Sequence, residues 1–397
     1  MIKKHNPKRW FTGSVMMAAA TVGLVVGFAG PASADPASTY VAVGSDTTQD
    51  VMDAFATSIG GGTLGSWDAV NPGDPANPHD TINPKAGCSM TRPNGSGEGL
   101  SALRKSINPS TGAAQLANAP EANCVDIARS SSGPGANQAN NGDLVYIPFA
   151  LDAVTMGTGP ATAVTGTSDD AVATHITNAD SFTVAELTSL YHDCLPTTVG
   201  SVTYDPNATL TTPPAPGDQA IHLYIPQQGS GTRNFWAATL GNFNNTNLPT
   251  CVHDHSVLTP SEQVQEHDGT IFAQDPDGVG PFSIAQFIAQ GNGHNDRRHH
   301  VAIHSLNGIA PLTGTSLNTG FPITRENYNI VKTSRVTAGS ADFNAGLAGI
   351  LVGTTSKVCA GTLTIRNFGF APLTGAPLGH TCGQVATNLR AFAPGNV

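Results

Sequence analysis

The chain has 397 residues with 18 Lys and Arg against 28 Asp and Glu, a formal net charge of −10 that excludes generic adhesion to nucleic acid. Charged residues are 12% and aromatic residues 6%, while 39% is hydrophobic: enough for a folded core, and unlike the charge-rich composition of disorder.

In chain order, Lys3, Lys4, Lys8 and Arg9 precede an apolar run over residues 15–29, and Ala32-Ser33-Ala34 follows it. A basic start, a short apolar stretch and an A-x-A end predict a cleaved secretory signal peptide over residues 1–34, too short for a comfortable membrane span. That segment carries four positive charges and no negative one, so residues 35–397 are left at −14. No cysteine near the cut suits a lipid anchor, and no other apolar run spans a membrane. The exported chain is expected in a periplasm or cell-wall space, or in the medium. A single core stops growing at about 250 to 300 residues, so the remainder is expected to form two lobes with a cleft between them.

Tyr40-Val41-Ala42-Val43 is a β-prone run that meets Gly44-Ser45-Asp46, and Val51, Met52, Phe55 and Ile59 follow at helical spacing. Asp46 and Gln49 have the spacing of a capping box. Asn94-Gly95-Ser96-Gly97-Glu98 likewise precedes Leu100, Leu103 and Ile107, and Arg129-Ser130-Ser131-Ser132-Gly133 forms another small polar patch. Thr183 and Glu186 predict a second capping box opening a helix that ends near Cys194. Ile221-His222-Leu223-Tyr224-Ile225 reads as a strand, followed by Gly229-Ser230-Gly231-Thr232 and then Phe235, Trp236 and Leu240. Further strand-like runs are residues 143–147, 153–156, 330–331 and 363–365. Strands alternating with helices predict α/β lobes whose ligand lies beyond the carboxyl ends of the strands.

A helix N-terminus carries unpaired N–H groups and about half a positive charge, and a Ser or Thr hydroxyl adds a donor. Glycine lets the backbone approach the ligand closely. Several such turns in one cleft would enclose an oxyanion with neutral donors, so a chain of negative charge can still hold an anion.

These turns resemble the ligand loops of the phosphate-binding solute-binding proteins that serve bacterial ABC transporters. Val43-Gly44-Ser45-Asp46-Thr47-Thr48 resembles the first loop, Gly95-Ser96-Gly97 the second, Ala128-Arg129-Ser130-Ser131 the third and Gln228-Gly229-Ser230-Gly231-Thr232 the fourth. The resemblance implies a two-lobed periplasmic-binding-protein fold with two crossing hinge strands, near residues 146–156 and again within 306–328. Lobe 1 would be residues 35–147 and 318–397, and lobe 2 residues 148–317. It implies a monomer that captures phosphate or a related oxyanion for an ABC permease, with no catalytic step, cofactor or metal. The expected ligand residues are Ser45, Asp46, Thr47, Ser96, Gly97, Arg129, Ser130, Ser131, Ser230, Gly231, Thr232 and Arg233.

Two positions depart from the family pattern. The third-loop Asp that accepts a hydrogen bond from a protonated phosphate is matched by Ser131, and the Arg and Asp that precede the fourth loop are replaced within Pro226-Gln227-Gln228. Arg129 and Arg233 are candidates to restore positive charge, and Asp46 or Asp152 to restore an acceptor. Ser131 can donate to a fully ionised oxyanion, which relaxes selectivity toward sulfate-like anions or larger acidic solutes.

Cys88, Cys124, Cys194, Cys251, Cys359 and Cys382 all lie in the exported part, and their wide spacing favours pairing of sequence neighbours. His253 and His255, and the group of His294, His299, His300 and His304, match no standard metal spacing and read as surface residues. Glu266 and His267 read either as cleft groups or as part of a helix cap before Ile271. Alternatives to capture are a secreted hydrolase using the same turns, although none has the G-x-S-x-G pattern, and a repurposed surface protein with a blocked cleft.

Overall fold

The computed structural model describes residues 38–71, 73–74, 77, 79–110 and 122–397; the predicted signal peptide lies outside the described residues. In chain order the elements that position the site are β1 (Tyr40–Gly44), α1 (Gln49–Ile59), β2 (Leu64–Ser66), α2 (Ser96–Ile107), β3 (Ile127–Ser130), β4 (Leu144–Thr158), α3 (Val184–Asp193), β5 (His222–Tyr224), α4 (Gly231–Thr239), β6 (Val252–His253), β7 (Gly278–Ser283), α5 (Ile284–Gly291) and β8 (Thr324–Lys332).

The principal sheet runs β6-β5-β7-β4-β8-β3-β1-β2. β2, β1 and β3 are mutually parallel, as are β6, β5 and β7. Between these two parallel groups, β4 and β8 run antiparallel to each other and to the strands beside them. The chain therefore has a mixed α/β, two-lobed architecture in which β4 and β8 are the crossing strands. All fifteen residues of β4 are buried, which explains its near-continuous apolar sequence. The expected runs at 143–147 and 153–156 are one strand interrupted by Pro148. Proline supplies no ladder N–H, and the β4–β8 register shifts there, between Asn327 and Tyr328.

Helix starts follow local chemistry. Thr183 and Glu186 form the reciprocal capping box at α3, Ser230 caps α4 by accepting from the Arg233 N–H, and Ser283 caps α5 by accepting from Gln286. The capping box expected at Asp46 and Gln49 does not form. Thr48 is the N-cap of α1, the Gln49 amide oxygen accepts from the Ala69 N–H at 2.6 Å, and the Asp46 carboxylate faces Arg297.

The expected strand at 363–365 is instead a short helix, Thr362–Asn367. Leu363 is 79% exposed and Ile365 1%. Residues two apart share one face of a strand but fall on opposite sides of a helix, so this burial pattern fits only the helix. Trp67 and Trp236 are both buried, and Trp236 packs edge-on against Tyr191. Disulfides join Cys88 to Cys124, Cys194 to Cys251 and Cys359 to Cys382. No helix among the described residues is long and apolar enough to cross a membrane.

Candidate anion-binding site

The Gly-Ser turns leave the carboxyl ends of parallel strands: residues 45–48 follow β1, Ser131 follows β3, and residues 225–230 lead from β5 into α4. Asn94 lies beside Gly44 in an isolated bridge, which brings the start of α2 to the same edge. The second and fourth turns touch directly. The Gly97 N–H donates to the Gly229 carbonyl at 2.9 Å, and a Cβ on Gly95, whose φ is +118°, would stand 2.7 Å from that carbonyl oxygen. A Cβ on Gly231 would overlap the hydroxyls of both Ser96 and Ser131. Ser96 Oγ accepts the Ser131 N–H at 3.1 Å and lies 3.4 Å from Ser131 Oγ.

Thr47, Ser230 and Thr232 gather around a residue from a different segment, Glu266. Oε1 of Glu266 accepts from the Ser230 hydroxyl and from the Thr232 N–H, the latter at 3.0 Å, and Oε2 accepts from Thr47 Oγ1 at 3.3 Å. Beside it, His267 Nδ1 accepts the Ser283 N–H at 3.5 Å, so the ring proton sits on Nε2 and is donated to Thr47 Oγ1 at 2.8 Å. With that tautomer His267 donates a hydrogen bond to Thr47 Oγ1.

Positive charge comes from Arg325 on β8. Its Nε and Nη2 hold Asp152, directly opposite on β4, at 2.9 and 2.8 Å, while Nη1 donates to Thr232 Oγ1 at 2.9 Å and Nη2 to Thr47 Oγ1 at 3.4 Å. Asp152 also accepts from the Ser283 hydroxyl and, at 3.0 Å, from the Ala285 N–H. At the edge of the cluster Asp46 receives Arg297 at 3.2 Å. Glu266, His267, Asp152 and Arg325 are all at most 2% exposed. Burial pushes the Glu266 carboxyl up, reinforced by the Asp46 carboxylate and opposed by the Ser230 and Thr232 donors and by Arg325. Burial, with Arg325 and Arg297 nearby, holds His267 well below the usual imidazole range and therefore neutral.

Two expected ligand residues point elsewhere. Arg129 is fully buried behind the first turn, where its guanidinium donates to the carbonyls of Ala42, Gly44, Ser45 and Trp67 and to the Ser66 hydroxyl. Arg233 donates to the carbonyls of Pro226 and Asn245 and to Asp254. These hydrogen bonds aim both guanidinium groups at structural acceptors and away from the turns. Ser130 closes a local turn with Ser132. Ser45 Oγ is buried without a hydrogen-bond partner, as are both amide atoms of Asn327, two residues along β8 from Arg325.

Glu266, His267, Arg325 and Arg297 were not among the expected ligand residues. A carboxylate beside a histidine, and an arginine in a buried strand, were the available signals. Asp46, Glu266 and His267 also have metal-ligand proximity, but two guanidinium groups flank them and the Glu266 oxygens already receive three donors; this environment suits an anion. The second such group among the described residues, His222, Asp275 and Asp277, is joined by hydrogen bonds to Tyr224 and His175.

No protein-family model matches the chain, and no curated protein matches it significantly. Among solved structures, it is similar to a substrate-binding protein assigned to phosphate ABC transport from Clostridium perfringens, solved with bound phosphate, at 11% identity and a TM-score of 0.48 over 84% of this chain and 98% of that one. It is also similar to an ABC-type phosphate transport receptor from Vibrio cholerae, at 15% identity and a TM-score of 0.44 over 84% and 98%. A phosphate-binding protein from Stenotrophomonas maltophilia matches at 14% identity and 0.42 over 84% and 90%.

Proposed function

We propose that the chain is an exported solute-binding protein that captures a small tetrahedral oxyanion, phosphate or a relative, between two lobes for delivery to an ABC-type permease. The observation that carries this reading is the meeting of four Gly-Ser turns from both parallel groups of the sheet, with Ser96, Ser131, Gly231, Ser230, Thr232 and Thr47 clustered beside Arg325. Backbone N–H groups, hydroxyls and one guanidinium in a buried setting bind negative charge and perform no bond cleavage by themselves. The lobes are residues 35–147 with 318–397, and residues 148–317, hinged where β4 and β8 cross.

Titration calorimetry with phosphate, sulfate and chloride tests the reading. Saturable binding of phosphate or sulfate, lost in Ser96→Ala and Ser230→Ala, supports it. Binding of neither oxyanion to wild type or to a variant of the site would sink it.

A further inference from the structure

We propose that Glu266 is an internal ligand of this anion site and sets its selectivity: its carboxylate holds donors that a captured oxyanion needs, so a solute enters only by displacing it. The proposal rests on the reading of the turns as an anion receptor.

The direction of each hydrogen bond is fixed by the partner's other contacts. Thr47 Oγ1 accepts from His267 Nε2 and from Arg325 Nη2, which fills both lone pairs and leaves its proton for Glu266. Ser230 Oγ accepts from the Arg233 N–H and donates to Glu266. The Thr232 N–H can only donate. Two turns thus present three donors to one carboxylate, as they would to two oxygens of a bound oxyanion. Arg325 stands directly behind one of those donors, the Thr47 hydroxyl, and also donates to the Thr232 hydroxyl.

The backbone is set to present this group. His267 adopts φ of +57°, a conformation uncommon for a residue with a side chain, and its carbonyl is held by Gln290 Nε2 at 2.9 Å. Glu266 is thereby fixed in the site by the segment that also carries His267 to Thr47.

A built-in carboxylate discriminates among solutes. A monocarboxylate offers nothing that Glu266 does not already provide, whereas a tetrahedral, multiply charged oxyanion has further oxygens for the hydroxyls of Ser96 and Ser131. The opposite role, in which Glu266 accepts a proton from the bound solute, predicts the opposite effect of removing it.

The test compares wild type, Glu266→Ala and Glu266→Gln by calorimetry and thermal unfolding with inorganic phosphate and with acetate. The expected result is phosphate binding about tenfold or more tighter in Glu266→Ala than in wild type, an intermediate gain in Glu266→Gln, and acetate stabilising Glu266→Ala alone. Phosphate binding wild type as tightly as both variants overturns the proposal and leaves the receptor reading standing. Acetate stabilising Glu266→Ala while phosphate binds none of the three supports the internal ligand and removes the phosphate reading. No effect of either anion on any of the three overturns both.

Discussion

Asp152 and Arg325 face each other directly across the antiparallel pair β4 and β8, and the arginine that closes this buried ion pair also reaches Thr47 from the first turn and Thr232 from the fourth. A single guanidinium therefore ties the crossing strands to both walls of the site.

Removing one partner leaves the other charge buried and unpaired. Asp152→Ala is expected to destabilise the protein by about 3 to 5 kcal/mol in urea unfolding, and a paired replacement, Asp152→Leu with Arg325→Met, to recover much of that loss. A double variant no more stable than the single one would show that the pair is not the source of the cost.

Gly231 is packed against two hydroxyls, so Gly231→Ala is expected to destabilise by about 1 to 3 kcal/mol through overpacking. Adding Ser96→Gly and Ser131→Gly removes the obstructing atoms and should make the same change nearly neutral, a coupling readable in a thermodynamic cycle. Strict additivity would mean that the turns do not meet at this glycine.

Glu266 and His267 give stability opposite dependences on pH. The raised carboxyl contributes stability that is complete below its unfolded value and is lost as pH rises through its folded value; the lowered imidazole contributes stability that is complete above its unfolded value and is lost as pH falls below it. Burial sets both directions; the Asp46 carboxylate reinforces the rise of Glu266 and Arg325 opposes it, while Arg325 and Arg297 reinforce the fall of His267. Relative to wild type, Glu266→Gln should lose stability more steeply between pH 7 and pH 5, and His267→Gln less steeply or with a gain, as measured by urea unfolding at stepped pH. Parallel curves for all three proteins would contradict the assignment.

Cys194 terminates α3 and Cys251 precedes β6, so their disulfide closes 57 residues of sequence around β5 and α4. Replacing both by Ser should cost about 2 to 4 kcal/mol. Peptide mapping under non-reducing conditions should recover this linkage together with Cys88 to Cys124 and Cys359 to Cys382; any other linkage contradicts the fold around α3.

The order of strand, turn and helix around β1 and β5 was legible because each depends on neighbouring residues: a short buried β-prone run, a glycine turn and a hydroxyl near the helix start. Where side chains point was not. Arg129 and Arg233 sit beside the right turns in sequence, but each guanidinium follows the carbonyls and carboxylate that tertiary packing places within reach. Glu266 lies 34 residues from Thr232 and meets it where Gln227 donates to the Val264 carbonyl, while Arg325 lies 93 from Thr232 and reaches it from the crossing strand β8. The strand expected at 363–365 failed for a related reason, since its apolar residues do not share one face.

The bulge at Phe149, next to Pro148 on β4, has a mechanical consequence. Both parallel groups are ironed into one continuous ladder through β4 and β8, so parting them bends a sheet instead of swinging two bodies on a loose tether. A ladder resists bending where its rungs are complete and yields where one is missing, and the missing rung falls between Asn327 and Tyr328, two residues beyond Arg325. The residue that grips Thr47 and Thr232 thus stands within two positions of the one break in the ladder's register.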